Sequence, residues 1–493
     1  MKLQTNTVWP WSSQPCATSD TERVSFGEGP AENFGSDRAG ALLYLFISIL
    51  ALAGSASAGP VFASGDIQAA IDGAMPGDTV IVPAGVYVPF TVDKPLTILG
   101  EGYPSVRAQT QTPAVYIRAD GVRLQGLKVL GVQKKQEDKF SYYMDLSSRK
   151  SHYTLNLPNS GVFVDGDDVV IEDLAVEGAE VGVQVMGSRN FTILNSSFER
   201  CDTGLFLQGS DVGRAEGSTF RASGKYGVRI EGSEGIVLAD NLFTYNSAAG
   251  LMLKDCADCL VAGNEFTENW QGIFLWNSSK TEVRDNNLDR NVYFGMVVAS
   301  GSNNSILNNL ATRGGGDLGI RGIGISIQEN SSYNLVAGNV LEENLNGLDL
   351  TRGAEFNLIC YNEISKNSNG IRLDKNENNL VYMNNFRRNL ISGYDNASHN
   401  FWNASVGNYY DDYRGRDRDG DGIGDDPYWI PKGSSTAVDW RPLMKPFEGE
   451  MDLEGAWEDL ARYATYKPAD DLPYKVENQT IVIGSREPRK LWF

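Results

Sequence analysis

Along residues 161–393 a glycine returns about every 23 residues, and this period restricts the fold more than any other feature of the chain. The glycines stand at positions 161, 182, 204, 227, 250, 272, 295, 324, 347, 370 and 393. The intervals are 21, 22, 23, 23, 22, 23, 29, 23, 23 and 23. An earlier copy, AVYIRADGVRLQGLKVLG, starts at Ala114. A period of this size belongs to a solenoid, in which each repeat buries its apolar face only by stacking on its neighbours.

The residues inside each copy say what kind of solenoid. The first and third positions after Gly are aliphatic, as in Val183 and Val185, Leu205 and Leu207, Ile273 and Leu275, Leu348 and Leu350. Period-2 alternation is the mark of a strand with one face inward. A second apolar position falls eleven after Gly, at Ile193, Leu238, Val261, Val283, Ile306, Leu335, Leu358 and Val381. A third falls about five later, at Phe198, Phe220, Phe243, Phe266, Leu288 and Phe386. Leucine-rich repeats share the period but need L-x-x-L-x-L-x-x-N and a return arm that these copies lack. Three short strands per turn predict an all-β fold, a right-handed parallel β-helix of about 23 residues per coil, with coils about 4.8 Å apart. Asn241, Asn264, Asn286 and Asn309, and separately Asn246, Asn269 and Asn291, recur in register. They read as amide ladders at the turns.

A solenoid needs caps. GDIQAAIDGAM at 65–75 reads as a short amphipathic helix, with Ile67, Ala70 and Ile71 facing the open N-terminal end of the core. The cap and first coils take residues 62–113, the repeats 114–392 and a C-terminal cap 393–446. Insertions at 132–158 and 313–321 interrupt the same turn of coils seven rungs apart, about 34 Å. The first carries Phe140, Tyr142, Tyr143, His152 and Tyr153. The tail from 447 to 493 lies outside the repeat.

The N-terminus carries a destination. Residues 41–53, ALLYLFISILALA, follow Arg38 and precede Ala56-Ser57-Ala58. This is a secretory signal pattern with cleavage near Ala58, and a span of roughly 20 residues is the membrane-anchor alternative. The signal or anchor is bounded at 39–58, and residues 1–38 read as an extension without ordered structure. Sequons at Asn190, Asn195, Asn277, Asn303, Asn330, Asn396, Asn403 and Asn478 fit a glycosylated exterior protein. Acidic residues exceed basic ones, 63 to 43, for a net charge of −20, which repels phosphate backbones and excludes nucleic acid as a partner.

The cap stretch DIQAAIDGAMPGDTVIVPAGVY, the later DKPLTILGEG and the Gly–hydrophobic–Asn coils resemble the NosD-like family of parallel β-helix repeat proteins over about residues 62–445. GNYYDDYRGRDRDGDGIGDDPYWIP followed by DWRPLM looks like the ending common in archaeal secreted members. The resemblance implies a β-helix of the carbohydrate-binding and sugar-hydrolase type, and copper delivery through the family's best-known member. Copper prefers thiolate, thioether or imidazole ligands. The chain offers two histidines, His152 and His399, and a lone Cys256-Ala-Asp-Cys259, which reads as a local disulfide or two packed thiols.

Three groups of residues carry candidate chemistry. Asp417, Asp419, Asp421, Ile423 and Asp425, with Gly422 at the sixth position, match the start of a calcium loop, and Tyr428 replaces the Glu at position twelve. Structural Ca²⁺ in the C-terminal cap is the expected cofactor. The outward positions of the first strand give an apolar stripe, Phe163, Phe206, Met252, Phe274 and Trp276, suited to stacking on sugar, to a protein contact or to cover by another part of the chain. Further along the same face turns charged, with Asp349, Arg372 and Asp374. Stacked Asp349 and Arg372 form an inter-rung ion pair on the simplest reading. As catalytic candidates the two carboxylates meet the spacing of a glycosidase pair. Together these features predict a secreted or cell-surface protein that binds a polysaccharide or envelope glycan, or builds envelope structure through self-association or an envelope protein. A polysaccharide lyase or glycoside hydrolase, and a copper-handling accessory protein, are the alternatives.

Overall fold

The computed structural model describes residues 59–109, 112–132, 160–316, 322–396, 399–433 and 437–463, and the backbone of 474–477 and 480–483. The extension 1–38, the signal segment 39–58, the first insertion from 133 with its aromatic residues and His152, residues 317–321 of the second, and Asn478 lie outside them.

The described chain is a right-handed parallel β-helix of about fourteen turns. Three parallel sheets, here called A, B and C, each hold fourteen strands. One coil shows the pattern: Gln271–Trp276 lies in sheet C, Glu282–Arg284 in sheet A, Asn287–Asp289 in sheet B, and Phe294–Ala299 returns to sheet C. The alternating aliphatic residues fill the lumen. Val183, Leu205, Val228, Leu251 and Ile273 stack in register and are wholly buried. Phe198, Phe220, Phe243 and Phe266 stack as nearly parallel rings, with centroids 4.8, 5.1 and 4.4 Å apart.

The repeat glycine is required by contact between coils. A Cβ on Gly182 would meet the Gly204 carbonyl oxygen at 2.3 Å, and one on Gly272 the Gly295 oxygen at 2.4 Å. No side chain fits there. The same contact ends the series early. Gly370 faces the Ser392 carbonyl, and Ile371 pairs with Gly393. The last interval is therefore 22, and Gly393 stands one residue past the repeat position.

The two expected asparagine ladders form, and they are longer than expected. Asn241, Asn264, Asn286 and Asn309 continue through Asn339, Asn362, Asn384 and Asn408. Each amide donates its Nδ2 to the Oδ1 of the next coil and to a backbone carbonyl of the previous one. The second ladder links Asn246, Asn269 and Asn291, and resumes further on at Asn344, Asn367 and Asn389. A third, Asn304–Asn334–Asn357–Asn379–Asn400, occupies the turn between sheets C and A.

Leu335 and Leu358 correct the expected core. They pair with Ser305 and Leu380 on the outside of sheet A, and Val336 and Ile359 point inward instead. Their coils carry one more residue in the turn after sheet C, where Glu329 and Asn330, and Arg352 and Gly353, take positive φ in succession. The displaced leucines are not exposed. Helix α2 (Leu453–Tyr463) lays Ala456, Trp457 and Leu460 on Leu335, Leu358, Leu380 and Tyr382. The tail thus supplies a cover for sheet A.

Both ends of the lumen are closed. Helix α1 (Ile67–Gly73) buries Ile67, Ala70 and Ile71, and its N-cap Asp66 accepts from the Gln68 and Ala69 amides. At the other end Phe386, Tyr410 and Tyr428 stack at 5.1 and 3.7 Å beside Trp402. Both insertions leave the turn between sheets B and C, as their described flanks show.

Candidate functional site

Sheet C has the longest strands, six residues in most coils, so two outward side chains per coil form two columns on its face. The first column reads Tyr116, Phe163, Gln184, Phe206, Arg229, Met252, Phe274, Val297, Ser326, Asp349, Arg372, Tyr394 and Lys432 in continuous register. The second column includes Lys254, Trp276 and Ala299 in one run, and Thr351, Asp374 and Asn396 in another.

The expected apolar stripe is present but is narrower in solvent than its composition implies. Phe163, Met252 and Val297 are buried, while Phe206 and Phe274 are half-buried and Trp276 is exposed. Arg229 interrupts it, with its guanidinium 5.2 Å from the Phe206 ring centroid and paired with Glu231. The continuous aromatic surface is therefore local. Phe274 and Trp276 stack at 6.0 Å with planes 16° apart, and Lys254 lies 5.6 Å over Trp276. At the adjoining corner Trp270 stacks on Tyr293 at 6.0 Å, and Tyr293 meets Phe294 edge-on at 4.4 Å. The three corner aromatics stand one or two residues before the repeat glycine, a position that inspection of the outward strand residues passes over.

Two rungs past Val297 the face becomes polar. Arg372 Nη1 donates to Asp349 Oδ1 at 3.0 Å and Nη2 to Asp374 Oδ2 at 2.6 Å. The predicted trio is thus one cluster, and the ion pair between rungs is real. Asp349 is only 6% exposed, and burial pushes its carboxyl above the ordinary range against the pull of Arg372. Burial disfavours the Arg372 cation, but Asp349 and Asp374 more than offset that and raise it. Tyr394, which the one-residue shift after Gly370 brings into the column, lies between two cations: Arg372 at 5.6 Å and Lys432 at 5.8 Å from its ring. Asn369 donates to Asn346 at 2.8 Å alongside. Ser326, between Val297 and Asp349, is 1% exposed and its hydroxyl has no hydrogen-bond partner.

The calcium-loop residues are brought together in part. The carboxylates of Asp417, Asp419 and Asp421 offer oxygens within 4.8 Å of one another. Asp417 accepts from the Gly422 and Gly420 amides, which hold it below the usual carboxylate range although burial works the other way. Asp425 faces elsewhere, accepting the Arg418 amide at 2.6 Å, and Ile423 donates its amide to Asp421 at 2.8 Å.

The described residues do not fit copper. Cys256 and Cys259 are free thiols, each 3% exposed within the lumen core. Their sulfurs approach the Lys254 and Ala257 carbonyls at 3.2 and 3.3 Å. The bond between the two sulfurs and burial push Cys259 well above the ordinary thiol range, while the same bond lowers Cys256. Of the two readings of this pair, packed thiols are what the fold holds. Among the described residues no group of three His, Cys, Asp or Glu side chains includes either cysteine, and His399 stands exposed beside Glu377.

The fold has solved relatives. The A-module of mannuronan C-5 epimerase AlgE6 from Azotobacter vinelandii superposes with a TM-score of 0.52 at 15% identity, over 68% of this chain and 92% of that one. The AlgE4 A-module of the same organism gives 0.51 at 16%, over 68% and 96%. At these identities the likeness is one of fold. No curated protein matches the chain by sequence. The family model described as periplasmic copper-binding protein (NosD) matches residues 142–313 and 317–415, more than half of the sequence, and the chain belongs to the NosD family.

Proposed function

We propose that the protein is an extracytoplasmic polysaccharide-binding protein whose glycan lies along the outer face of sheet C. One observation carries this reading. A single in-register column joins the aromatic surface at Phe274 to the Asp349–Arg372–Asp374 cluster, with Trp276 beside it. Aromatic rings take the apolar face of a sugar, and fixed carboxylate, amide and guanidinium groups take its hydroxyls. The structural relatives named above act, by their names, on a polysaccharide, and the family is described as periplasmic, which supports both halves of the reading. The apolar segment 41–53 supports export.

Binding is favoured over cleavage. Asp349 and Asp374 are bound to the two Nη atoms of one guanidinium, so the two carboxylates of the glycosidase alternative lie side by side. Asp349 is nevertheless almost wholly buried and bonded to Arg372, so it has little access to a glycosidic oxygen. The test is incubation of the protein with a panel of neutral and acidic polysaccharides, reading retention and new chain ends by mass spectrometry. Retention without new ends is expected. New ends that vanish in Asp374→Asn would replace binding by lyase or hydrolase activity. Self-association without retention would replace it by a structural role.

Ca²⁺ is proposed as a structural ion of the C-terminal cap, held by Asp417, Asp419 and Asp421. Three carboxylates so close repel one another until a cation joins them. Calcium should raise the midpoint of thermal unfolding in the wild type and not in Asp419→Asn. An equal rise in both would remove the site.

A further inference from the structure

The groups on this face also bear on the charge of the glycan, a step that rests on the binding reading above. We infer that the ligand is an uncharged, hydroxyl-rich polysaccharide and not a polyuronate.

Recognition of carboxylated sugars uses Arg or Lys side chains with free donors. Among the described residues, five cations on or beside the sheet C face are engaged within the protein. Arg229 is bound to Glu231 on its own strand. Arg372 is bound on both nitrogens, to Asp349 and to Asp374. Lys254 stands 3.8 Å from Asp255, and Arg352, beside the cluster, 3.4 Å from Glu329. Lys432 lies over the Tyr394 ring. An incoming carboxylate at Arg372 would stand against two fixed carboxylates, with like charges at short range. The chain as a whole, at −20, repels a polyanion before contact.

What remains for a ligand is hydroxyl chemistry and apolar contact. The Ser326 hydroxyl, nine-tenths buried and without a partner, lies on the outward column one rung from Asp349. At 1% exposure it is closed to a ligand, as Asp349 is, and it adds no contact to a bound glycan. The Asn346–Asn369 amide pair and Thr351 flank the same rungs. Tyr293 and Trp276, 49% and 36% exposed, offer ring faces that are indifferent to charge but suit the C–H face of a pyranose.

The experiment uses two matched pairs of polymers that differ in charge: fully methyl-esterified homogalacturonan against polygalacturonate, and hydroxyethylcellulose against carboxymethylcellulose. The full chain is run in native gels that contain each polymer, at low and at raised salt, with Trp276→Ala alongside and folding checked by thermal melting. We expect at least one neutral member to retard the protein at least tenfold more strongly than its charged partner. The gap should narrow with salt, as screening predicts, and Trp276→Ala should lose the retardation. Equal or stronger retardation by a charged member, weakening with salt, overturns the inference and leaves polysaccharide binding standing. Retardation by neither member of either pair overturns the binding reading and the inference with it.

Discussion

Replacing Asn286 by leucine keeps the side-chain volume roughly and removes one link of the longest ladder. In the native coil Asn286 Oδ1 accepts the Asn264 amide at 2.9 Å and its Nδ2 at 3.0 Å. Its own Nδ2 donates to the Val261 carbonyl at 2.9 Å and to Asn309 Oδ1 at 2.9 Å. All three asparagines are buried. The variant strands the Asn264 N–H without water, which costs about 1–3 kcal/mol, and removes further bonds at roughly 0.5–1.5 kcal/mol each. With three further bonds lost the sum is about 2.5–7.5 kcal/mol, above an average substitution. Direction matters as well. Asn286→Asp keeps both acceptors but turns a carboxylate on Asn309 Oδ1, so it should be at least as damaging. At the C-terminal end the ladder finishes on Asp439, whose Oδ2 accepts the Asn408 amide at 2.7 Å and whose Oδ1 accepts the Arg441 amide at 2.9 Å. Because solenoids lose two-state cooperativity, the assay is hydrogen exchange by mass spectrometry on peptides covering 260–290. Opening free energies reduced by less than about 1 kcal/mol in Asn286→Leu would refute the ladder as a main source of stability.

Other outcomes follow from the same coordinates. Gly272→Ala, with its Cβ 2.4 Å from the Gly295 oxygen, should cut soluble yield and denaturant resistance sharply, whereas Gly187→Ala, with open space around it, should cost only the strain of its positive φ. Burial pushes the Asp439 carboxyl up to about 7 against the bonds it accepts. Its folded pKa exceeds the unfolded value, so this contribution to cap stability is complete below about pH 4 and is lost as pH rises towards 7. Exchange protection around Asn408 should fall across that window, and Asp439→Asn should flatten the dependence. Leu358→Lys should release helix α2 and make the chain after residue 450 sensitive to protease without unfolding the coils, since Leu358 packs only outside sheet A.

The coils were legible because their determinants are periodic. Gly272 and its equivalents, the alternating aliphatics and the Asn241–Asn309 series each repeat a local requirement once per turn, so one copy explains the next. What broke the period was misread. The extra turn residue at Glu329–Asn330 moved Leu335 outward, and Ser392 took the glycine's place, bringing Tyr394 into the site column. Helix α2 repeats nothing, and its docking on sheet A follows from tertiary contact alone. The Asp349–Arg372–Asp374 cluster was readable from register, but Ser326 and the Trp270–Tyr293 corner were not. Their importance comes from burial, missing partners and neighbours across a turn, none of which has a period.

Whether sheet C holds the glycan is tested by comparing three variants for retardation in a gel containing the neutral polymer that binds best. Trp276→Ala and Arg372→Ala alter the sheet C face. Trp429→Ala removes a more exposed aromatic from the C-terminal cap, where Trp429 and Trp440 meet at 6.2 Å. A glycan on sheet C requires at least tenfold weaker retardation for the first two and wild-type behaviour for the third. Loss of retardation in Trp429→Ala with Trp276→Ala unaffected would contradict it and move the glycan to the cap.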